Sequence, residues 1–149
     1  MSSEEDSFDW AKPIPETEVD LDELEHDDYG LRQHGEPFTG IAVSHHPNGQ
    51  IESRRPYLNG VPHGLCRWWH SNGQLRDEWT AYRGMGHGWS TEWRQDGSVK
   101  KVGYAEFGCP LEWSEFDEAG QKISSGSNRE NKNTLLWIER GRKELPDAP

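Results

Sequence analysis

Seven histidines are the residues of this 149-residue chain whose type and spacing first suggest chemistry. His46 and His70 stand 24 apart, as do His63 and His87, so a fold with that period could bring like-placed imidazoles together as metal ligands. A zinc site needs three or four ligands, and no carboxylate or thiolate recurs at the same spacing, so no metal is expected. Asp77 with Glu78, or Glu115 with Asp117, could work as general acid and base only where burial moves a pKa. The chain has no nucleophile elbow, no P-loop and no His-Glu-x-x-His. Cys66 and Cys109 make neither a metal-ligand pattern nor a disulfide framework, which fits a reducing compartment. The expectation is a protein that is not an enzyme and carries no cofactor.

Binding chemistry is better represented. Trp68 is flanked by Arg67 and His70, with Glu92 and Arg94 one period further on. Trp and Arg are the residues enriched at interface hot spots. Trp68 and Trp69 are adjacent, so in a strand they point to opposite faces. Trp68 is then either covered by residues 134–138 or left open as an anchor. A second candidate surface is acidic. Residues 1–28 hold twelve Asp or Glu against Lys12 alone, whereas the remaining residues hold fifteen acids and fifteen bases, so the net charge of −11 belongs to the leader. Within it Asp20, Asp22, Glu23, Glu25, Asp27 and Asp28 lie nearest the body. Their carboxylates could fill a basic groove on a partner and speed association, or merely solubilise the chain.

The elements that must position these residues are written in the glycines. Gly40, Gly64 and Gly88 are 24 apart, and so are Gly60, Gly84 and Gly108, while Gly49, Gly73, Gly97 and Gly120 step by 24, 24 and 23. Agreement of three registers marks a tandem repeat. After the first glycine of each unit, residues alternate with period two (Ile41, Val43, His45; Leu65, Arg67, Trp69; Trp89, Thr91, Trp93), the signature of a strand with one buried face. Asn48-Gly49, Asn72-Gly73 and Asp96-Gly97 then give the strongest short-range hairpin signal. Ile51, Leu75, Val99 and Ile123 open the return strands, and Asn59-Gly60, Arg83-Gly84 and Phe107-Gly108 link one hairpin to the next.

The expected fold is therefore all-β, an elongated antiparallel meander of about eight strands in which each hairpin touches its neighbours. Leu, Ile, Val and Phe make up only about 16% of the chain, below the ~20% typical of a globular core, and eight Trp and four Tyr offset the shortage. The rows Ile41–Leu65–Trp89–Trp113 and His45–Trp69–Trp93 are the expected core. Residues 1–30 form an acidic leader too poor in apolar groups to order itself. Residues 31–123 form the repeat domain, with units at about 37–60, 61–84, 85–108 and 109–123. Residues 124–149 form a linker and a capping segment, helix or strand, that covers the open edge after the fourth hairpin.

The units have the form G-φ-x-x-x-φ-x-x-N-G-x-φ followed by a charged strand and a closing x-G. Over residues ~35–123 this resembles the MORN-repeat variant, and specifically the YwqK-like antitoxin or immunity proteins built from it. The resemblance implies a non-enzymatic β-repeat scaffold that binds a polymorphic toxin and neutralises it. The lysines usual between hairpins are replaced here, as in Val61-Pro62-His63-Gly64, the fourth unit has Ala119 where others have Asn or Asp, and the leader lies outside the pattern. The expected partner is a cognate, basic protein toxin, such as a nuclease. The alternative is a MORN-type scaffold at a membrane surface, which a neutral body disfavours. Nucleic-acid binding is disfavoured for the same reason. With no basic-apolar leader and no apolar run of ~20 residues, a cytoplasmic protein without membrane insertion is expected.

Overall fold

A computed structural model describes residues 8–149. Among them, thirteen strands and one α-helix follow in order, with a short 3-10 turn (Leu21–Glu23) between the first two strands: β1 (Glu18–Asp20), β2 (Glu25–Asp27), β3 (Gly30–Gln33), β4 (Glu36–Pro37), β5 (Gly40–His45), β6 (Ile51–Leu58), β7 (Val61–Pro62), β8 (Gly64–Trp69), β9 (Leu75–Tyr82), β10 (Met85–Trp93), β11 (Val99–Glu106), β12 (Cys109–Phe116), β13 (Lys122–Ser127) and α1 (Lys132–Glu144). The repeat builds one long sheet with the order β1-β5-β6-β8-β9-β10-β11-β12-β13, antiparallel except where β1 runs parallel to β5. β7 also pairs with β6, so β7 and β8 are two parts of one strand broken at His63. A separate three-stranded sheet, β2-β3-β4, sits at the N-terminal end.

β3 and β4 are a half-unit that the glycine series did not reveal. Their link, His34-Gly35, has the same left-handed first residue (φ 54°) as Asn59, Arg83 and Phe107 (φ 51°, 50° and 48°). Arg32 pairs with Pro37 as Tyr57 pairs with Pro62. The links also stack, because the N–H groups of Gly60, Gly84 and Gly108 donate to the carbonyls of Phe38, Pro62 and Gly86 at 2.8–2.9 Å. Asn128 ends this ladder, its side-chain amide donating to Pro110 O at 3.0 Å.

The acidic leader is ordered from β1 onward, contrary to the disorder expected through residue 30. Val19, Leu21 and Leu24 pack on the core of Leu31, Phe38, Ala42 and Tyr57. Its carboxylates find partners on the first unit and on β3: Arg54 Nε donates to Glu18 at 2.9 Å, the His45 ring Nδ1 lies 3.4 Å from Asp20, and Arg32 of β3 pairs with Asp27. Residues 1–7, with Glu4, Glu5 and Asp6, lie outside the described residues.

α1 also departs from expectation. It leaves β13 as the outer strand of the sheet and packs on the third link, where Phe107, Leu111 and Ile138 form a second core. Asn131 caps it by accepting from the N–H groups of Asn133 and Thr134, and Arg142 in its last turn holds the buried Glu106 through both carboxylate oxygens. No helix among the described residues is long and apolar enough to cross a membrane.

Candidate partner-binding site

The two faces of the sheet follow from the register. One carries Ile41, Val43, Leu65, Arg67, Glu78, Trp89, Thr91, Val102, Tyr104 and Glu112. The other carries Ala42, Ser53, Arg55, Tyr57, Cys66, Trp68, Trp79, Ser90, Glu92, Gly103 and Trp113. Trp113 is thus across the sheet from Trp89, not beside it. The first two links offset the pairing by two residues, but between β11 and β12 the offset is one, and a one-residue slip exchanges every side chain between faces.

The second face packs by setting each large ring between small residues. Across it run Cys66, Trp79, Ser90, Gly103, Trp113 and Gly126. A Cβ on Gly126 would fall 2.0 Å from the Trp113 ring, so the indole lies flat on bare backbone. Cys66 is fully buried, and burial pushes its thiol up to about 11, which makes it inert. Trp68 stacks on Trp79 with ring centroids 6.2 Å apart and planes 8° from parallel. The Arg55 guanidinium lies 5.5 Å from the Trp68 ring and 5.8 Å from that of Tyr57. Trp68 is therefore half-buried within its own face, and α1 does not cover it.

The candidate anchors do not form one cluster. Arg67 is on the opposite face from Trp68 and donates to Glu78 at 2.7 Å. Glu92 shares the Trp68 face but is held by Lys100 at 2.6 Å. His70 and Arg94 belong to the hairpin turns. His46 Nε2 meets Trp69 O, His70 Nε2 meets Trp93 O, and Arg94 donates to Phe116 O, so each side chain reaches the strand end of the next unit. Asp20 and Asp22 do meet Trp68 and Arg55, lining a cleft of about 380 Å³ at the first unit. Asp27 makes its ion pair with Arg32 elsewhere, and Glu23, Glu25 and Asp28 point to solvent from the outer N-terminal sheet segment.

The other recurrent histidines serve the links. Arg83 N–H donates to His63 Nδ1 at 3.0 Å and Phe107 N–H to His87 Nδ1 at 3.1 Å, as Asn59 N–H donates to Thr39 Oγ1 at 2.9 Å. Burial lowers the pKa of His63, which favours this neutral, accepting ring. No group of three potential metal ligands occurs among the described residues.

Sequence reasoning placed in the core an aromatic of the sheet that the structure leaves open, Trp89. Along the first face Ile41 is 5% exposed, Leu65 39% and Trp89 58%. The expected core row thus emerges into solvent, since the N-terminal core reaches only the first unit. Trp89 tilts against Tyr104 with centroids 5.0 Å apart, and Arg129 lies 5.7 Å from the Tyr104 ring while its Nε donates to Glu112 at 2.7 Å. That ion pair holds the Glu112 carboxyl below its usual range. Beside Trp89 lies a shallow groove of about 380 Å³ bordered by Val102, Ser114 and Ser125. Period-two alternation says which residues share a face, but not which face is covered.

Residues 38–59 and 62–80 match the family described as MORN repeat variant, so the chain carries repeats of that type. No curated protein matches the sequence. Among solved structures, a chain of "Crystal Structure of TarM" superposes at a TM-score of 0.41 with 10% identity over 75% of this chain. This chain spans 21% of that one's length.

Proposed function

We propose that this chain, with its MORN-type repeats, is a non-enzymatic partner-binding protein that acts as an immunity protein or antitoxin and neutralises a cognate protein toxin by direct contact. The observation that carries the reading is Trp89, 58% exposed on a sheet face and braced by Tyr104. A half-desolvated indole held against Tyr104, with the Arg129–Glu112 ion pair beyond that ring, is the kind of residue on which binding energy concentrates. The open carboxylates Asp22, Glu23, Glu25 and Asp28 at one end of the molecule complement a basic partner, such as a nuclease, and would speed the encounter.

The test is protection in a host that expresses the toxin encoded beside this chain. The native chain restores growth and co-purifies with the toxin at one-to-one ratio. Trp89→Ala weakens the complex by about 2 kcal/mol or more, as hot-spot truncations do, with a melting curve within about 0.5 kcal/mol of native, as expected of an exposed side chain. Full protection by Trp89→Ala would remove this face from the reading, and absence of any toxin whose action the chain suppresses would remove the reading itself.

A further inference from the structure

The rim formed by the links between hairpins is roofed along its length, and the middle of the roof is a different kind of contact from its ends. At one end the Asn59-Gly60 link is held by main chain, with Leu31 N–H donating to Gly60 O at 2.8 Å. At the other, the Phe107-Gly108 link is held by the α1 core. Between them, the Arg83-Gly84 link is crossed by residues 8–11. That strap makes no hydrogen bond between its main chain and the main chain of the sheet. Its internal bonds are Lys12 N–H to Asp9 O and Ala11 N–H to Asp9 Oδ1, and the first main-chain bond to the sheet comes only at Thr17 O, which accepts from Ile41. It is seated by rings and by one contact of the Trp10 main chain with the His63 imidazole: the Trp10 ring lies 4.4 Å from the Arg83 guanidinium and 5.7 Å from His63, and Phe8 meets Trp10 edge-on at 5.0 Å.

Two further observations mark this seat as a place where an occupant can be exchanged. The groove continues to either side of Trp10 and Arg83, with hollows of about 650 and 490 Å³. The larger is lined by Tyr29, Leu31, Arg32, Pro37, Val61 and Arg83, with Arg32 paired to Asp27, and the smaller carries Asp9, Glu144 and Asp147. The Trp10 indole N–H is buried there with no acceptor among the described residues. An occupant that leaves a buried donor unpaired and space on both sides fills the groove incompletely.

We infer that the rim around Arg83 is a docking groove for an extended protein segment carrying a tryptophan, and that Phe8-Asp9-Trp10 is the resident occupant which such a segment displaces. The strap supplies the chemistry of the ligand: an indole whose face meets the guanidinium of Arg83, with a second ring beside it. This inference stands apart from the Trp89 reading, uses the rim of links rather than the open sheet face, and is tested without the toxin.

A tethered strap faces its seat at an effective concentration of order millimolar, so a strap that stays docked implies a dissociation constant in trans below about that value. The experiment is fluorescence anisotropy of a labelled peptide with the sequence of residues 8–15, titrated with the full chain carrying Trp10→Ala. Saturable binding is expected, weakened about tenfold when Arg83→Gln is added and lost when the peptide's own Trp is replaced by Ala. The native chain, whose seat is filled, binds the same peptide at least severalfold more weakly. A second readout needs no substitution: in the native chain, excess unlabelled peptide moves the Trp10 indole N–H resonance to its solvent-exposed position. No binding to the Trp10→Ala chain up to millimolar, binding indifferent to Arg83, or a Trp10 resonance that ignores the peptide each overturns the inference.

Discussion

A residue in the left-handed region turns its own N–H back across the link, where it needs an acceptor. Asn59, Arg83 and Phe107 all have this geometry, and the same repeat position supplies the acceptor each time, as Thr39 Oγ1, His63 Nδ1 and His87 Nδ1. The histidines are thus interchangeable with threonine for this bond, and differ in being titratable. Protonating His63 would replace its accepting lone pair by a donor. Because burial lowers its folded pKa, the unfolded chain binds more protons just below the ordinary value of about 6.5. The contribution of His63 is therefore complete above about pH 6.5 and declines as pH falls through the lowered folded value. His63→Thr should keep the bond and flatten the dependence of the melting temperature on pH between about 7 and 5. It should cost about 0.5–1.5 kcal/mol at pH 7.5 through the lost ring contacts with Trp10 and Tyr82. Melting curves at both pH values check this, and an unchanged slope would show that His63 does not titrate during unfolding.

At the scale of elements, α1 docks because two local preferences are overridden together. Phe107 holds φ 48°, costly for a bulky residue, and Gly141 sits inside a helix, where Ala would be better. The two meet: a Cβ on Gly141 would fall 2.6 Å from the Phe107 ring. Trp137 Nε1 then donates to Phe107 O at 3.1 Å. Gly141→Ala should destabilise the chain by about 1–3 kcal/mol despite its helix propensity, with red-shifted Trp137 emission as α1 lifts. Adding Phe107→Asn should cost less than the sum of the two single changes, since the clash is then absent. Neither departure was legible, because each is unfavourable locally and is repaid only across 34 residues of chain. The hairpins were legible, because Asn-Gly turns and period-two alternation are local. The slip that turns Trp113 to the other face had a signal in the single 23-residue step from Gly97 to Gly120. His34-Gly35-Glu36-Pro37 likewise repeats Asn59-Gly60-Val61-Pro62, but its spacing of 25 and the short β4 hid it. The candidate site was less legible than the fold: Trp68 satisfies itself by stacking, and Trp89 opens to solvent for want of a second layer.

For the whole molecule, the consequence of a single-layer repeat is that stability is spread over interfaces between neighbouring units. Three sets of side-chain and link bonds recur with the repeat: the stacked links and the acceptors at Thr39, His63 and His87 close each unit on itself, and the turn bonds cross to the next. In the last set Asn48 and Asn72 side chains donate to Ser71 O and Gln95 O beside the His46 and His70 bonds. All three sets advance by 24 residues through the second unit, so that unit can be inserted twice without changing any register. A chain with residues 61–84 duplicated in tandem places Glu78 of the first copy opposite Arg67 of the second and lets His70 reach the new Trp69 carbonyl. It should melt higher than the native chain and unfold in denaturant with an m-value raised by roughly a sixth, in proportion to the added buried surface. Duplicating the 23-residue step from Gly97 to Gly120 should not do so, because the one-residue slip would exchange faces at each added copy and break the Trp113 row. Equal stability of the two insertions would mean that the sheet tolerates either register and that the two faces are not distinguished by packing.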